Sequence, residues 1–455
     1  MINVKIDSRK IEKGDTFVAL RGATVDGHSF VNKAIENGAA KVVVEEDVEC
    51  SVPKEIVKDT NEWLTNYVSL NYAKEINTMD ILGVTGTNGK TTTAYLTYQM
   101  LNKLGKKTAY IGTIGFYIPD EKVVELPNTT PNILDLYELL LTAKSKKCEV
   151  VIMEVSSHAL HQKRVQGIEY KVGAFTNLTQ DHLDYHKTMD NYLDAKLLIL
   201  KQLKGKMIIN VDDSYAGRWL EKYDDCVTLG KKGKEYKINN YSDTEKGTLL
   251  NVDIEGNNYE IETNLRSSFN VYNYLTALAF AHSIGFDVED IIKVTKDVYP
   301  PKGRCEQIRV GKGEVVIDYA HTPDAVEKII DAFVGSSKGK IITLVGCGGD
   351  RDPKKRPIMG NIAASKSDYV VFTSDNPRTE EPQKIMDDIL AGVKTKNYEV
   401  ELDRRKAIVK ALDMIKDDDV VLILGKGHED YQILGHEKVH FDDAEEVRKY
   451  IENNK

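Results

Sequence analysis

Residues 81–92 read Ile81-Leu82-Gly83-Val84-Thr85-Gly86-Thr87-Asn88-Gly89-Lys90-Thr91-Thr92, an apolar run that gives way to glycines, one lysine and two adjacent threonines. The apolar run reads as a buried strand, and the glycines mark a turn into a helix expected to start near Thr91. Glycines let backbone N–H groups converge on an anion, the lysine supplies a point charge for outer phosphates, and a threonine hydroxyl can enter a Mg²⁺ shell. The positive end of the helix adds to the same cradle. The spacing departs from the common phosphate-loop pattern, because Val84 stands five residues before Gly89 and the glycines fall at 83, 86 and 89. A plain strand-to-helix turn needs neither Lys90 nor the threonine pair, so the stretch is read as a phosphate cradle.

Outward from this loop, short β-branched runs alternate with amphipathic stretches, the pattern of parallel sheets with helical crossovers. Strands are expected at Lys41 to Glu45, Ile81 to Val84, Val150 to Val155, Met207 to Val211, Val315 to Tyr319, Ile341 to Val345, Tyr369 to Thr373 and Val420 to Leu424. Helical periodicity covers Thr91 to Leu104, Ile133 to Lys144, Met189 to Leu203, Asn270 to Ser283 and Arg404 to Ile415. A polar, helix-like connection at 57 to 80 and the stiff Tyr299-Pro300-Pro301-Lys302-Gly303 segment suggest boundaries, since paired prolines cannot continue a helix. The expected class is α/β with three domains: a small N-terminal α/β domain at 1–78, a central mononucleotide-binding domain with a mostly parallel sheet at 79–301, and a Rossmann-like C-terminal domain at 302–455. Residues 228 to 266 read as an antiparallel extension of the central sheet.

The 455 residues are 41% hydrophobic and 29% charged, with 71 acidic against 62 basic side chains and a formal charge of −9. An acidic chain lacks the basic surface of a nucleic-acid binder, so any polyphosphate is held by local groups. The five cysteines, at 50, 148, 226, 305 and 347, form no C-x-x-C pair, which argues against zinc and disulfides and fits a reducing cytoplasm. No run reaches the roughly 18 apolar residues of a membrane span. A cytoplasmic monomer is expected.

Motif residues gather just past strands, where open α/β sheets bind ligands. Glu154, in Met153-Glu154-Val155-Ser156-Ser157-His158, stands where an acid can complete a Mg²⁺ site. His182 and His186 are four apart but lack the H-E-x-x-H arrangement, so a role beside a metal-bound nucleotide is preferred to zinc, with hydrogen-bonded core histidines as the bland alternative. Arg304 follows the proline linker and precedes Asp318 in Asp318-Tyr319-Ala320-His321-Thr322-Pro323-Asp324. Its fork suits phosphoryl charge, and it is expected to reach the γ-phosphate only when the C-terminal domain swings in. Gly346-Cys347-Gly348-Gly349-Asp350-Arg351 fails the dinucleotide spacing because Arg351 occupies the sixth position. Together with Asp375-Asn376-Pro377-Arg378 and Gly425-Lys426-Gly427-His428-Glu429 it offers two arginines and two acids. Such a set matches a ligand carrying both carboxylates and ammonium groups.

Taken together, these clusters resemble the Mur ligase family of peptidoglycan synthesis, in particular its MurE type, which adds the third residue of the stem peptide. The likeness runs from Asp7-Ser8-Arg9 to Gly425-Lys426-Gly427-His428-Glu429, with the motifs in the family's order. It implies that ATP phosphorylates the D-glutamate carboxylate of a UDP-N-acetylmuramoyl dipeptide and that an amine then displaces the phosphate. By resemblance, Gly86, Thr87, Asn88, Gly89, Lys90, Thr91 and Thr92 hold ATP, with Asn270, Arg304 and Asp318 completing its site. Thr91 and Glu154 would hold one Mg²⁺, and His182 with Lys196, carbamylated in the family, would serve a second. Lys90, Glu154, His182, Lys196 and Arg304 are thus the catalytic candidates.

The resemblance places the sugar nucleotide on Ser8, Ala23, Thr24, Val25, Asn128, Thr129, Thr130, Ser156, Gln162 and Arg164. It places the amino acid on Arg351, Asp375, Asn376, Pro377, Arg378, Gly425 and Glu429. Asp-Asn-Pro-Arg is the form of enzymes resembling meso-diaminopimelate adders, whose arginine pairs with the distal carboxylate. L-lysine addition and a folylpolyglutamate synthetase-like ligase are the alternatives. Lys187 departs from the glycine frequent at that place in the family, which bears on the turn's geometry.

Overall fold

The computed structural model describes residues 2–22, 25–119, 121–244, 247–335 and 337–454; Ala23 and Thr24 of the expected uridine segment lie outside the described residues. The chain gathers into two compact units, one of Met1–Thr85, Gly105–Ala174 and Asp194–Met207, the other of Gly86–Leu104, Phe175–Leu193 and Ile208–Lys455.

The first unit begins with four parallel strands, Val4–Lys5, Thr16–Val18, Lys41–Val44 and Lys54–Ile56, side by side in chain order. Phe17, Val42 and Val44 bury one face against Val31 and Ala34. The polar connection expected at 57 to 80 is the helix Thr60–Ile76, whose start is capped by Asp59 accepting from the Glu62 amide. The decisive strand, Asp80–Thr85, lies between Val150–Glu154 and Tyr170–Phe175, with Thr108–Gly112 beyond Val150–Glu154. Ile81, Leu82 and Val84 are wholly buried, as a strand covered on both faces requires. Val84 therefore occupies a strand position, paired with Glu154, and the turn proper starts after it.

In the second unit the helix Lys90–Lys103 packs on the largely apolar helix Ser268–Ser283. Strands Tyr236–Asp243, Thr248–Ile254 and Asn257–Thr263 form the expected antiparallel ribbon. The helix expected over 189 to 203 runs only Met189–Leu197 and then tightens to a 3₁₀ turn at Leu198–Gln202.

The C-terminal sheet of this unit has the order Glu306–Val310, Gly313–Asp318, Val420–Leu424, Ile341–Val345, Tyr369–Phe372, Tyr398–Val400. Only the first, edge strand runs antiparallel. Val316 and Leu422 face helices Pro323–Val334, Lys355–Lys366 and Pro382–Leu390, whereas Val315 and Val421 face Arg404–Asp413 and Asp443–Asn453. Period-two alternation between two helical layers makes this a doubly wound sheet, as the Rossmann-like expectation had it. Its carboxyl ends open into the loops after Asp318, Val345, Phe372 and Leu424.

Candidate active site

The phosphate loop is fastened by its neighbour strand's exit, residues 176–179. Thr87 N donates to Asn177 O (2.8 Å) and Asn88 N to Asn177 Oδ1 (2.9 Å), while Asn88 O accepts from Thr176 Oγ1 (2.6 Å) and Asn177 Nδ2 (3.0 Å). Lys90 Nζ folds over the turn onto the carbonyls of Gly86 and Thr87, both at 2.9 Å. Gly89 has φ of 86°, and a Cβ at Gly86 would strike Thr176 Oγ1, so both glycines answer to geometry. Asn270 is buried on the helix Ser268–Ser283 and bonds Asn273 (3.0 Å), which meets Thr93 Oγ1 (3.3 Å).

Arg304 Nη2 donates to Thr91 Oγ1 at 3.2 Å, and its guanidinium carbon lies 4.6 Å from the centre of the Tyr319 ring. It thus already stands at the loop, where the sequence had suggested that domain closure must bring it. Cys305 N donates to Asp318 Oδ2 (2.8 Å). Burial pushes the Asp318 carboxyl up, against the pull of Arg304. Asp324, from the same motif, accepts from Asn88 Nδ2 (3.0 Å). His321 is held below its ordinary range by burial and then by Lys355, so its ring is neutral near pH 7.

Of the two spaced histidines, His182 lies 3.3 Å from Asp181 with its backbone in the left-handed region (φ 54°), and His186 is buried with its ring stacked on Tyr192. The core reading thus describes His186. Lys187, the departure from glycine, adopts φ 71°, so the turn keeps a glycine-like backbone despite the side chain. Among the described residues no group of three or more His, Cys, Asp or Glu side chains is placed to hold a metal.

At the far ends of the C-terminal strands the expected arginines and acids converge. Asn376 Nδ2 donates to Glu429 Oε2 (2.8 Å), and Lys426 Nζ reaches both Asn376 Oδ1 (3.3 Å) and Glu429 Oε2 (3.2 Å). Burial, then the like charge of Asp375, pushes the Glu429 carboxyl up, with Lys426 opposing. Beyond Pro377, Arg378 sits at φ 52° and donates from Nη1 to Gly349 O (2.7 Å). A Cβ on Gly348 would lie 2.9 Å from Arg378 Nη1 and 3.9 Å from Arg351 Cγ, so both arginines flank that glycine. Arg351 is exposed. Gly425 N bonds Asp318 O (3.1 Å), tying these loops to the strand that ends beside Arg304.

In the first unit Glu154 is fully buried at its strand end. Its Oε1 accepts from Tyr110 Oη (2.6 Å) and Thr113 N (2.8 Å), and its Oε2 from Thr113 Oγ1 (3.1 Å). Thr113 also meets Thr129 (3.0 Å). Thr130 bonds the Glu154 carbonyl (2.9 Å), receives the Ser156 amide (3.1 Å), and its own carbonyl accepts from Arg164 (3.2 Å), which also bonds Gln162. A cavity of about 470 Å³ is lined by Asn128, Gln162 and Arg164 together with Ile6, Leu20 and Asn61. Ser8 is buried, its carbonyl accepting from Asn37 (2.7 Å), while Val25 is exposed. Lys196 is buried too.

The chain is 43% identical over 451 residues, 98% of its length, to the UDP-N-acetylmuramoyl-L-alanyl-D-glutamate--2,6-diaminopimelate ligase of Aquifex aeolicus (strain VF5), covering 93% of that protein. Models of the Mur ligase catalytic, middle and glutamate ligase domains match residues 2–85, 84–281 and 303–427. The chain belongs to the Mur ligase family.

Within that family it is also 42% identical to the like-named ligase of Fusobacterium nucleatum subsp. nucleatum over 99% of the chain and 94% of the relative. Among solved structures, a UDP-N-acetylmuramoyl-L-alanyl-D-glutamate--2,6-diaminopimelate ligase aligns over 100% of this chain and 95% of its own, with 31% identity and TM-score 0.69. A Mycobacterium tuberculosis folylpolyglutamate synthase shares the fold at 15% identity and TM-score 0.67, over 80% of this chain and 92% of its own. As a Mur ligase, the chain is an ATP-dependent enzyme of peptidoglycan precursor synthesis. Three features of its site escaped the sequence reading: Lys426 between Asn376 and Glu429, the Tyr319 ring under Arg304, and the 176–179 brace. Lys426 alone carried a signal, a lysine between two glycines at a strand end.

Proposed function

We propose that this Mur ligase joins meso-diaminopimelate to UDP-N-acetylmuramoyl-L-alanyl-D-glutamate in the cytoplasm, with ATP as co-substrate. The observation that carries the reading is the alternating charge set of Asp375, Lys426, Glu429, Arg378 and Arg351 at one end of the C-terminal sheet. The acids suit ammonium groups and Arg351 and Arg378 suit carboxylates; L-lysine would leave Arg378 without its distal partner, and sites built for an absent group reject by about 10⁴ to 10⁵ fold. The names of the full-length relatives point the same way.

In this reading residues 1–78 hold the sugar nucleotide, 79–301 the ATP and 302–455 the amino acid. A carboxylate is a poor electrophile, so its oxygen first attacks the γ-phosphorus and ADP leaves. The amine nitrogen then adds to the acyl carbon, loses a proton, and expels inorganic phosphate as the amide forms. Lys90 and the loop amides hold the transferring phosphoryl group, and Arg304, seated on Thr91 and Tyr319, adds a fork for its spreading charge. Thr91 and Glu154 would hold Mg²⁺, which neutralises phosphate oxygens. His182 and Lys196 would serve a second ion; an ammonium at Lys196 would repel that cation, whereas a carbamylated Lys196 would offer it a carboxylate-like ligand. Asn128, Gln162 and Arg164 at the 470 Å³ cavity, with Thr130 and Ser156 bonded behind Arg164, would take the muramoyl dipeptide.

A panel of amino acids, assayed for ADP release with the UDP-sugar dipeptide present, tests this directly. Turnover with meso-diaminopimelate and none with L-lysine is expected. Preference for L-lysine overturns the substrate assignment, and glutamate extension of a folate would point to the other ligase class.

A further inference from the structure

The C-terminal sheet contains a second buried charge pair, remote in role from every group assigned above. Arg404 opens the helix Arg404–Asp413, Asp443 opens Asp443–Asn453, and both side chains are 0% exposed. Arg404 Nε and Nη2 donate to the two Asp443 oxygens, each at 2.7 Å. The same guanidinium turns two of its three remaining donors to backbone: Nη2 reaches Leu424 O (3.1 Å) and Nη1 reaches Ser374 O (3.5 Å). Those two carbonyls belong to the residues immediately before Gly425-Lys426 and before Asp375-Asn376.

A buried ion pair is a poor device for stability alone, because desolvation offsets most of its attraction and apolar replacements are often neutral or better. It does specify geometry. One planar fork, fixed on one side by a carboxylate, sets how far apart two strand ends lie. We infer that Arg404 and Asp443 are positioning residues for the incoming amino acid, clamping the Ser374 and Leu424 carbonyls so that Asp375 and Asn376 meet Lys426 and Glu429 in register. This rests on the reading of those loops as the amino-acid site.

The double variant R404M/D443L replaces the pair by apolar groups of similar size and is expected to melt at or above the parent. Its KM for meso-diaminopimelate should rise about 10- to 100-fold, the scale of a misplacement near 1 Å, with KM for ATP and for the UDP-sugar dipeptide unchanged. R404K, which keeps the charge toward Asp443 but loses the fork, should shift the same constant less. An unchanged amino-acid KM in either folded variant, or equal rises in all three KM values, overturns the positioning role. R378A serves as the control. If R378A raises the amino-acid KM and R404M/D443L does not, only the positioning role fails; if R378A leaves it unchanged, the site assignment falls and this inference with it.

Discussion

The phosphate loop and the amino-acid loops both sit past strand ends, yet they are built from opposite materials. Around Gly86–Gly89 most bonds join backbone groups of the turn to the carbonyl, hydroxyl and neutral amide groups of residues 176–179, with Lys90 folded onto the turn and Asp324 meeting it at the Asn88 side chain. Around Asn376 two side-chain partners are charged, Lys426 and Glu429, with Asp375 close enough to raise Glu429 and Arg378 bonded nearby to Gly349 O. A backbone cradle recognises a ligand whose phosphates never vary. A set of side chains of alternating sign discriminates among ligands that differ in where their charges lie. The comparison implies that damage to the first region slows every substrate alike, and that damage to the second changes which substrate is used.

The largest expected effect follows from the lysine folded over the cradle. Lys90→Ala should lower kcat for every amino acid by the same factor, at a cost on the order of 3 to 4 kcal/mol or more in transition-state stabilisation. ADP release measured with saturating substrates checks it; near-normal turnover would mean that the backbone alone suffices. Next comes Arg378→Ala, which should raise KM for meso-diaminopimelate by a loss of about 2 to 5 kcal/mol while ATP binding holds. Equal losses for ATP and the amino acid would erase the distinction between the two regions.

How well each region could be read from the sequence follows from the same difference. Gly-Thr-Asn-Gly-Lys-Thr-Thr is local in sequence and local in space, so the cradle was visible from residue types alone. Its brace was not, because Thr176 and Asn177 are nearly 90 positions away and act through hydrogen bonds that no periodicity encodes. The doubly wound sheet was legible strand by strand, since buried parallel strands are continuous apolar runs such as Ile341–Val345 and Val420–Leu424. The helix expected to 203 fell short because its last turn, Leu198–Gln202, tightens, a local choice that apolar spacing does not report. Arg404 was opaque for another reason, as was the partnership of Lys426: a buried cation looks like a surface cation until its partners are known.

Acid titration sharpens the contrast further. Burial and Asp375 raise the Glu429 carboxyl above its usual range. An ammonium ligand needs it ionised, so apparent affinity for the amino acid should weaken as pH falls through that raised value, earlier than for an ordinary carboxylate. Glu429→Gln should remove this acid limb from KM for the amino acid while leaving the pH profile of KM for ATP as it was. A limb that persists in the variant would assign it to another group.

The smallest effect concerns the scaffold behind Gly348. Arg356, 1% exposed, donates to Glu380 (2.7 and 2.9 Å), to Asp388 (2.9 Å) and to Gly348 O (3.2 Å). Those hydrogen bonds hold the Glu380 carboxyl down at about 2. A carboxylate depressed in the folded state contributes stability above its unfolded value near 4.5, and loses that contribution as pH falls toward about 2. The parent's melting temperature should therefore fall more steeply across that window than that of Glu380→Gln, and the two curves should converge at its acid end. The phosphate loop is braced by neutral amides and hydroxyls, which do not titrate there, so replacing Thr176 by Val should lower stability by a pH-independent step. Parallel curves for parent and Glu380→Gln would show that Arg356 is satisfied by Asp388 and Gly348 alone, leaving the charged scaffold no more acid-sensitive than the neutral one.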